Sequence, residues 1–170
     1  NVLGVSYRGY GKSRGQPSEA GIYIDGEAAF KHVIGELGYA AKNVFILGRS
    51  IGTCVAIHVS REKGIGGLLL VAPLTSGAEQ AKASGLGLIS FVAGDSFNNI
   101  GKIGDVRCPV LVMHGSSDNT IPISMGRQIY DRVRSKKKFV EIKGANHNNL
   151  STRYARSYWP FISEFLKTHS

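Results

Sequence analysis

The sequence predicts an α/β domain on a mainly parallel sheet. Two observations carry this reading. Short apolar runs alternate with segments of helical periodicity from end to end. The apolar runs are unbroken, as strands covered on both faces require, rather than alternating apolar with polar residues. No internal repeat or linker interrupts the pattern, so residues 1–170 read as a single domain, with a short cap-like segment at 73–104.

The elements follow in order. Residues 2–6 form a short apolar run that meets a loop over 7–15 rich in Gly and Arg, which reads as a strand feeding a loop. Residues 19–37 have helical spacing, with Ile22, Ala29, Phe30, Val33 and Leu37 among the apolar positions. Ser18 is the expected N-cap and Gly38 the expected stop. Residues 43–47 read as a buried strand, 48–52 as a sharp turn, 53–62 as a helix and 67–71 as a second buried strand. The segment 73–104 is rich in Gly, Ala and Ser, with apolar residues at Leu86, Leu88, Ile89, Phe91 and Val92. It reads as short helices and loops over one end of the sheet. A strand over 110–114, a helix over 124–134 and a strand over 138–142 come next. The closing helix is expected over 150–167, with Tyr154, Tyr158, Trp159, Phe161, Ile162, Phe165 and Leu166 as its core face.

Composition narrows the class. With 42% apolar and 19% charged residues the chain can build a core and is not a disordered tail. The net charge of +9 favours an anionic partner. Its densest run, Arg132, Arg134, Lys136, Lys137 and Lys138, reads either as a solvated helix end or as a contact with anionic lipid headgroups. The run has no interleaved aromatic residues, and no nucleic-acid motif occurs elsewhere, so nucleic acid is not an expected partner. Cys54 and Cys108 lack metal-ligand spacing and read as buried thiols in a reducing compartment. No stretch reaches the roughly 18 apolar residues of a membrane span. There is neither a metal-binding cluster nor a dinucleotide loop, so no cofactor is expected. The chain opens on Asn1, not Met, and a natural N-terminal part is expected to precede it.

Catalytic groups in such sheets gather at the carboxyl ends of the strands. Gly48-Arg49-Ser50-Ile51-Gly52 fits G-x-S-x-G between an expected strand and an expected helix. The turn is so tight that Gly48 and Gly52 are both expected to need bare backbone, and it lifts the Ser50 hydroxyl above the sheet. A phosphate-binding turn would instead carry a Lys after the glycines or a G-x-G-x-x-G pattern, and neither is present. The Ile51 N–H, at the start of the new helix, is the expected oxyanion donor.

A serine needs a base to take its proton. Of the five histidines, His32 and His58 lie within helical segments and His169 at the C-terminus. His114 ends a strand but precedes the candidate acid, and reads as a loop-shaping residue. His147 lies directly after the last strand, in Gly144-Ala145-Asn146-His147-Asn148-Asn149, and is the candidate base. The acid should lie between nucleophile and base. The candidates are Glu62, Glu79, Asp95, Asp105, Asp118, Asp131 and Glu141. Asp118, in the loop His114-Gly115-Ser116-Ser117-Asp118 just past a strand, fits best. It would fix the tautomer of His147 and stabilise its imidazolium. The predicted catalytic set is therefore Ser50, Asp118 and His147, acting through an acyl-enzyme.

These motifs make the chain resemble the α/β-hydrolase domain-containing proteins of the serine-aminopeptidase-like superfamily, and within them the branch of palmitoyl-protein thioesterases. The matching segments are 7–13, 15–19, 48–53, 72–77, 109–115 with Asp118, and 144–148. The resemblance implies an α/β-hydrolase fold whose N-terminal strands precede Asn1, so that the chain is an N-terminally truncated fragment. One of those strands would lie between the runs 2–6 and 43–47, and the loop after it would carry the second oxyanion donor, missing from this chain. Losing one such donor costs roughly 100- to 1000-fold in rate. The full protein is thus expected to be active, and the 170 residues alone poorly folded and nearly inactive. Ser6 stands where relatives often carry an acidic residue. The implied activity is cleavage of palmitoyl thioesters from proteins at the cytoplasmic side of membranes, with an acylated protein or lipid-like ester as substrate and an anionic membrane surface as a further partner. A serine at the turn disfavours dehalogenase and epoxide-hydrolase chemistry, which use a carboxylate there. The alternatives are a small-molecule carboxylesterase or lipase, a non-catalytic scaffold of the same fold, and a basic nucleic-acid- or lipid-binding module. The segment 84–92 is apolar enough for acyl chains and equally for plain packing.

Overall fold

The computed structural model describes residues 1–61, 63–84 and 96–170, the side chains of Lys82 and Ser84 excepted. Most of the apolar segment at 84–92 lies outside the described residues, as do the acid candidates Glu62 and Asp95. The elements are α1 (Glu19–Gly35), β1 (Phe45–Arg49), α2 (Gly52–Ser60), β2 (Gly67–Val71), α3 (Gly77–Ser84), α4 (Asn99–Lys102), β3 (Val110–Gly115), α5 (Ile123–Arg132), β4 (Lys137–Ile142) and α6 (Trp159–His169). The four strands form one sheet in the order β1-β2-β3-β4, every pair parallel.

The period-2 geometry of strands explains why β2, and β3 as far as Met113, are apolar. Leu68, Leu70, Val110 and Val112 face one core with Ile22 and Phe30 of α1, Val55 and Ile57 of α2, and Met125 and Ile129 of α5. Leu69, Val71, Leu111 and Met113 face a second core with Val140, Ile142 and the α6 side, including Ile162 and Phe165. Alternate residues thus enter opposite cores, and the one polar side chain on these strands, His114, stays buried by donating to the Ile121 carbonyl. Ser18 caps α1 as expected: its Oγ accepts the Gly21 N–H at 3.1 Å, a contact of about 1 kcal/mol. Both cysteines are buried free thiols.

Helix α1 ends at Gly35 with Glu36 as its C-cap, short of the expected residue 37 and Gly38. The structure departs further from the sequence reading in three places. Residues 2–6 form no strand, and Val2, Leu3 and Val5 are exposed. A strand is defined by its ladder, and among the described residues no strand lies beside this run. The strand expected to be buried over 43–47 instead runs Phe45–Arg49 and is the edge of the sheet. With β2 as its one neighbour among the described residues, it leaves Leu47 49% exposed. The closing helix begins at Trp159, not at 150, after turns and a short 3₁₀ turn at Ala155–Ser157. Pro160 explains the start: its ring excludes a preceding helical turn, whereas the first turn of a helix accepts it. Trp159 consequently lies outside the core at 51% exposure, with its Nε1–H donating to the Ser151 carbonyl at 3.2 Å.

The basic run is partly committed within the chain. Lys137 Nζ donates to the carbonyls of Tyr130, Asp131 and Val133 at 2.8, 3.2 and 3.0 Å, satisfying acceptors that the end of α5 leaves open. Lys138 pairs with Glu164 at 2.9 Å. Among the described residues no helix is long and apolar enough to cross a membrane.

Candidate active site

The turn between β1 and α2 is as tight as the motif demands, but its two glycines are not equivalent. A Cβ on Gly48 would lie 2.5 Å from the Gly52 carbonyl oxygen and 2.7 Å from the Ala56 methyl. A Cβ on Gly52 would meet nothing closer than the Tyr7 hydroxyl at 3.8 Å. The expectation that both must be bare is therefore corrected: packing demands it at Gly48 alone. Gly48→Ala is expected to lower stability by about 2–4 kcal/mol in urea unfolding, as other overpacked and strained positions do, whereas Gly52→Ala should stay within about 1 kcal/mol of wild type. Equal losses in the two variants would contradict this geometry.

Ser50 occupies the left-handed region at φ +53°, which costs a non-glycine residue about 1–2 kcal/mol. Its backbone is held on both sides. The Ser50 N–H donates to the Val71 carbonyl at 2.9 Å, and the Ser50 carbonyl accepts from the Thr53 N–H at 2.9 Å and the Thr53 hydroxyl at 2.6 Å. Ile51 is the residue that caps α2, where N–H groups lack partners within the helix.

Asp118 lies just past the end of β3, and its side chain is fully buried. Its Oδ1 accepts the N–H groups of Thr120 and Ile121 at 2.9 and 2.8 Å. Its Oδ2 lies 2.8 Å from His147 Nδ1. Burial pushes this carboxyl up, but the His147 and Ile121 hydrogen bonds together with the two nearby imidazoles outweigh it and hold Asp118 below its ordinary value.

His147 joins the two ends. Its Nε2 lies 3.1 Å from Ser50 Oγ. Because an ionised carboxylate only accepts, Nδ1 carries the proton and Nε2 presents its lone pair to the serine. The loop holding His147 is braced by the Asn146 N–H to Asn149 Oδ1 at 2.8 Å and the Asn148 N–H to Asn146 Oδ1 at 3.0 Å. The Gly144 N–H to Ser116 Oγ bond at 2.8 Å ties it to the Asp118 loop. The three residues singled out in the sequence thus form one hydrogen-bonded chain, Asp118–His147–Ser50. Such a chain can draw a proton from a serine and stabilise the imidazolium that results.

The remaining candidates lie elsewhere. His114 is wholly buried and its Nε2–H donates to the Ile121 carbonyl at 2.9 Å, 3.6 Å from Asp118 Oδ2. It shapes the loop under the acid and does not reach Ser50. Burial pushes its pKa down. A Cβ on Gly126 would lie 2.3 Å from His114 Nδ1, so α5 packs directly on this ring. His58 stacks on Tyr23 with centroids 4.1 Å apart, His32 pairs with Glu36, and His169 packs against Phe165. Glu141 pairs with Arg127. The residue that sequence reasoning passed over is Arg49, whose guanidinium bonds to the His147 loop. The only signal for it was its place beside the serine, where a motif letter x says nothing about side chains.

No family model matches the chain. Curated relatives do. The alpha/beta hydrolase domain-containing protein aho-3 of Caenorhabditis elegans is 35% identical over 155 residues, covering 91% of this chain and 46% of that protein. Human alpha/beta hydrolase domain-containing protein 17B is 33% identical over 168 residues, covering 98% of this chain and 57% of that protein. The chain spans about half the length of the curated relatives it matches. Among solved structures, a Pyrococcus furiosus esterase superposes with a TM-score of 0.77 at 19% identity, covering 96% of this chain and 68% of that one. A monoacylglycerol lipase of Paleococcus ferrophilus gives 0.68 at 21% identity, covering 94% and 79%. At these identities the solved structures establish the shared fold.

Proposed function

Because this chain belongs to the α/β-hydrolase fold and is a homologue of the α/β-hydrolase domain-containing proteins, we propose that the whole protein is a serine hydrolase cleaving acyl esters or thioesters. The observation that carries the proposal is the unbroken chain from Asp118 through His147 to Ser50, with contacts of 2.8 and 3.1 Å. Ser50 Oγ attacks the acyl carbonyl while His147 Nε2 takes its proton. Asp118 stabilises the imidazolium, and the Ile51 N–H donates to the oxyanion. As the tetrahedral intermediate collapses, His147 returns the proton to the departing alcohol or thiol and an acyl-serine remains. Water, deprotonated by the same imidazole, then attacks the acyl-serine, releasing the acid and restoring Ser50.

The finer reading is a palmitoyl-protein thioesterase. It is supported by the segments 15–19 and 72–77, through which the sequence resembles that branch. The charge of +9 supports work at an anionic membrane surface, and the cytoplasmic side rests on the same resemblance. The test labels the whole protein with a fluorophosphonate probe and maps the adduct, then compares a palmitoyl-thioester peptide with a short-chain aryl ester. An adduct on Ser50 together with release of palmitate is expected. An adduct on Ser50 with turnover of the short ester alone would replace the finer reading by a small-molecule carboxylesterase. A folded protein with no adduct on Ser50 would overturn the hydrolase reading and favour a scaffold.

A further inference from the structure

We propose that Arg49 is a positioning residue that clamps the His147 loop onto the strand carrying Ser50. The proposal rests on the hydrolase reading given above. Arg49 Nη2 donates to the main-chain carbonyl of His147 itself at 2.5 Å, and to Asn148 Oδ1 at 3.3 Å. Arg49 is the last residue of β1, in register with Val71 of β2, and the next residue is Ser50. One side chain therefore connects the backbone of the candidate base to the element that carries the candidate nucleophile.

The other restraints on this loop do not do this. The Asn146 and Asn148 bonds close the loop on itself, and the bonds from Ser116, from the Ser117 N–H to the Ala145 carbonyl and between His147 and Asp118 tie it to the acid. Apart from those of Arg49, the hydrogen bond that connects the loop to the nucleophile among the described residues is the 3.1 Å contact between His147 Nε2 and Ser50 Oγ. That contact must break and re-form as the proton moves, so it cannot also serve as the anchor. The guanidinium bond to a carbonyl is charge-assisted and plays no part in the proton transfer. Its loss lets the imidazole wander, and a misplacement of about 1 Å can cost on the order of 100-fold in rate. Arg49 is exposed and buries no core surface, so its replacement removes the clamp without opening a cavity.

The experiment compares wild type, Arg49→Met, Arg49→Lys and Asn148→Ala in the whole protein. It uses steady-state hydrolysis of a short-chain aryl ester, the rate of fluorophosphonate labelling, and the low-field proton NMR signal of the Asp118–His147 hydrogen bond. Arg49→Met should lower kcat and the labelling rate about 10- to 100-fold with KM changed less than about 2-fold, and should broaden the low-field proton. Arg49→Lys, which keeps a cationic donor on a long stem, should recover part of the loss. Asn148→Ala, which removes the longer of the two contacts, should change kcat by less than about 3-fold. Unchanged kcat and an unchanged low-field proton in Arg49→Met would overturn the clamp, and so would a loss confined to KM, which would mean that Arg49 touches substrate. The NMR signal separates this proposal from the one it rests on. If wild type shows the signal and Arg49→Met loses it while neither protein turns over or is labelled, the clamp stands as a restraint on the loop and the hydrolase reading fails.

Discussion

Ser50→Ala is expected to abolish fluorophosphonate labelling and lower kcat/KM at least about 10⁴-fold, while leaving the protein folded. The size follows from the chemistry. Without Oγ there is no acyl-enzyme, and what survives is rate enhancement from binding and from oxyanion donors such as the Ile51 N–H. The fold should survive because the backbone of Ser50 is held independently of its side chain, by Val71 on one side and twice by Thr53 on the other. The one bond lost is that to His147 Nε2, worth about 1 kcal/mol. The left-handed φ of +53° is as strained for Ala as for Ser, so it does not separate the two proteins. Ester turnover and thermal unfolding of the two together decide the matter. Activity retained within about 10-fold in a folded Ser50→Ala would show that the reaction, if any, runs through another group.

The parts of this molecule that were legible from sequence are those where local chemistry leaves one solution. The strands at 67–71 and 110–115 could be read because both faces enter a core, which favours apolar residues at every position before His114. The elbow could be read because only a bare Gly48 lets Gly52 and Ala56 approach. Asp118 and His147 could be read from their places just after strands, without any knowledge of the contact between them. The failures have the opposite cause. Whether residues 2–6 form a strand depends on a neighbour, not on their own apolar character. The same holds for β1, whose run resembles a buried strand although it lies at the edge of the sheet. The start of α6 was missed because aromatic spacing across 154–166 fits a helix and also fits a turn packed against one, and Pro160 decides between them. Arg49 was invisible because its partner lies in a loop nearly a hundred residues away, and no sequence spacing records that.

Asp118→Asn should be almost as damaging to turnover as loss of the serine, with a drop in kcat on the order of 10⁴, though the substitution changes one atom. The two oxygens of Asp118 have different partners, and that difference sets the outcome. Oδ1 accepts two backbone N–H groups, from Thr120 and Ile121, so an amide nitrogen cannot take its place without facing two donors. The side-chain amide of the variant is therefore forced to point its nitrogen at His147 Nδ1. As a donor there it makes Nδ1 an acceptor and moves the imidazole proton to Nε2. The ring then offers Ser50 an N–H where the reaction needs a lone pair. The distance to the serine can stay as it is while the base is lost. Stability should respond on a different scale. At neutral pH the two bonds to Oδ1 remain, and the unfolding midpoint should move by a few degrees at most. In acid the two proteins should converge. The folded-state pKa of Asp118 is held below its ordinary value, so as pH falls the unfolded chain binds the proton first. The stabilisation by the charged Asp118 is thus complete above the ordinary aspartate value of about 3.9 and is lost as pH falls below it toward the lower folded-state value. Unfolding of both proteins from pH 7 to pH 2 measures this directly. A gap between them that widens toward low pH would show that the sign of the shift is wrong, and kcat within about 10-fold of wild type would show that Asp118 is not the group that orients His147.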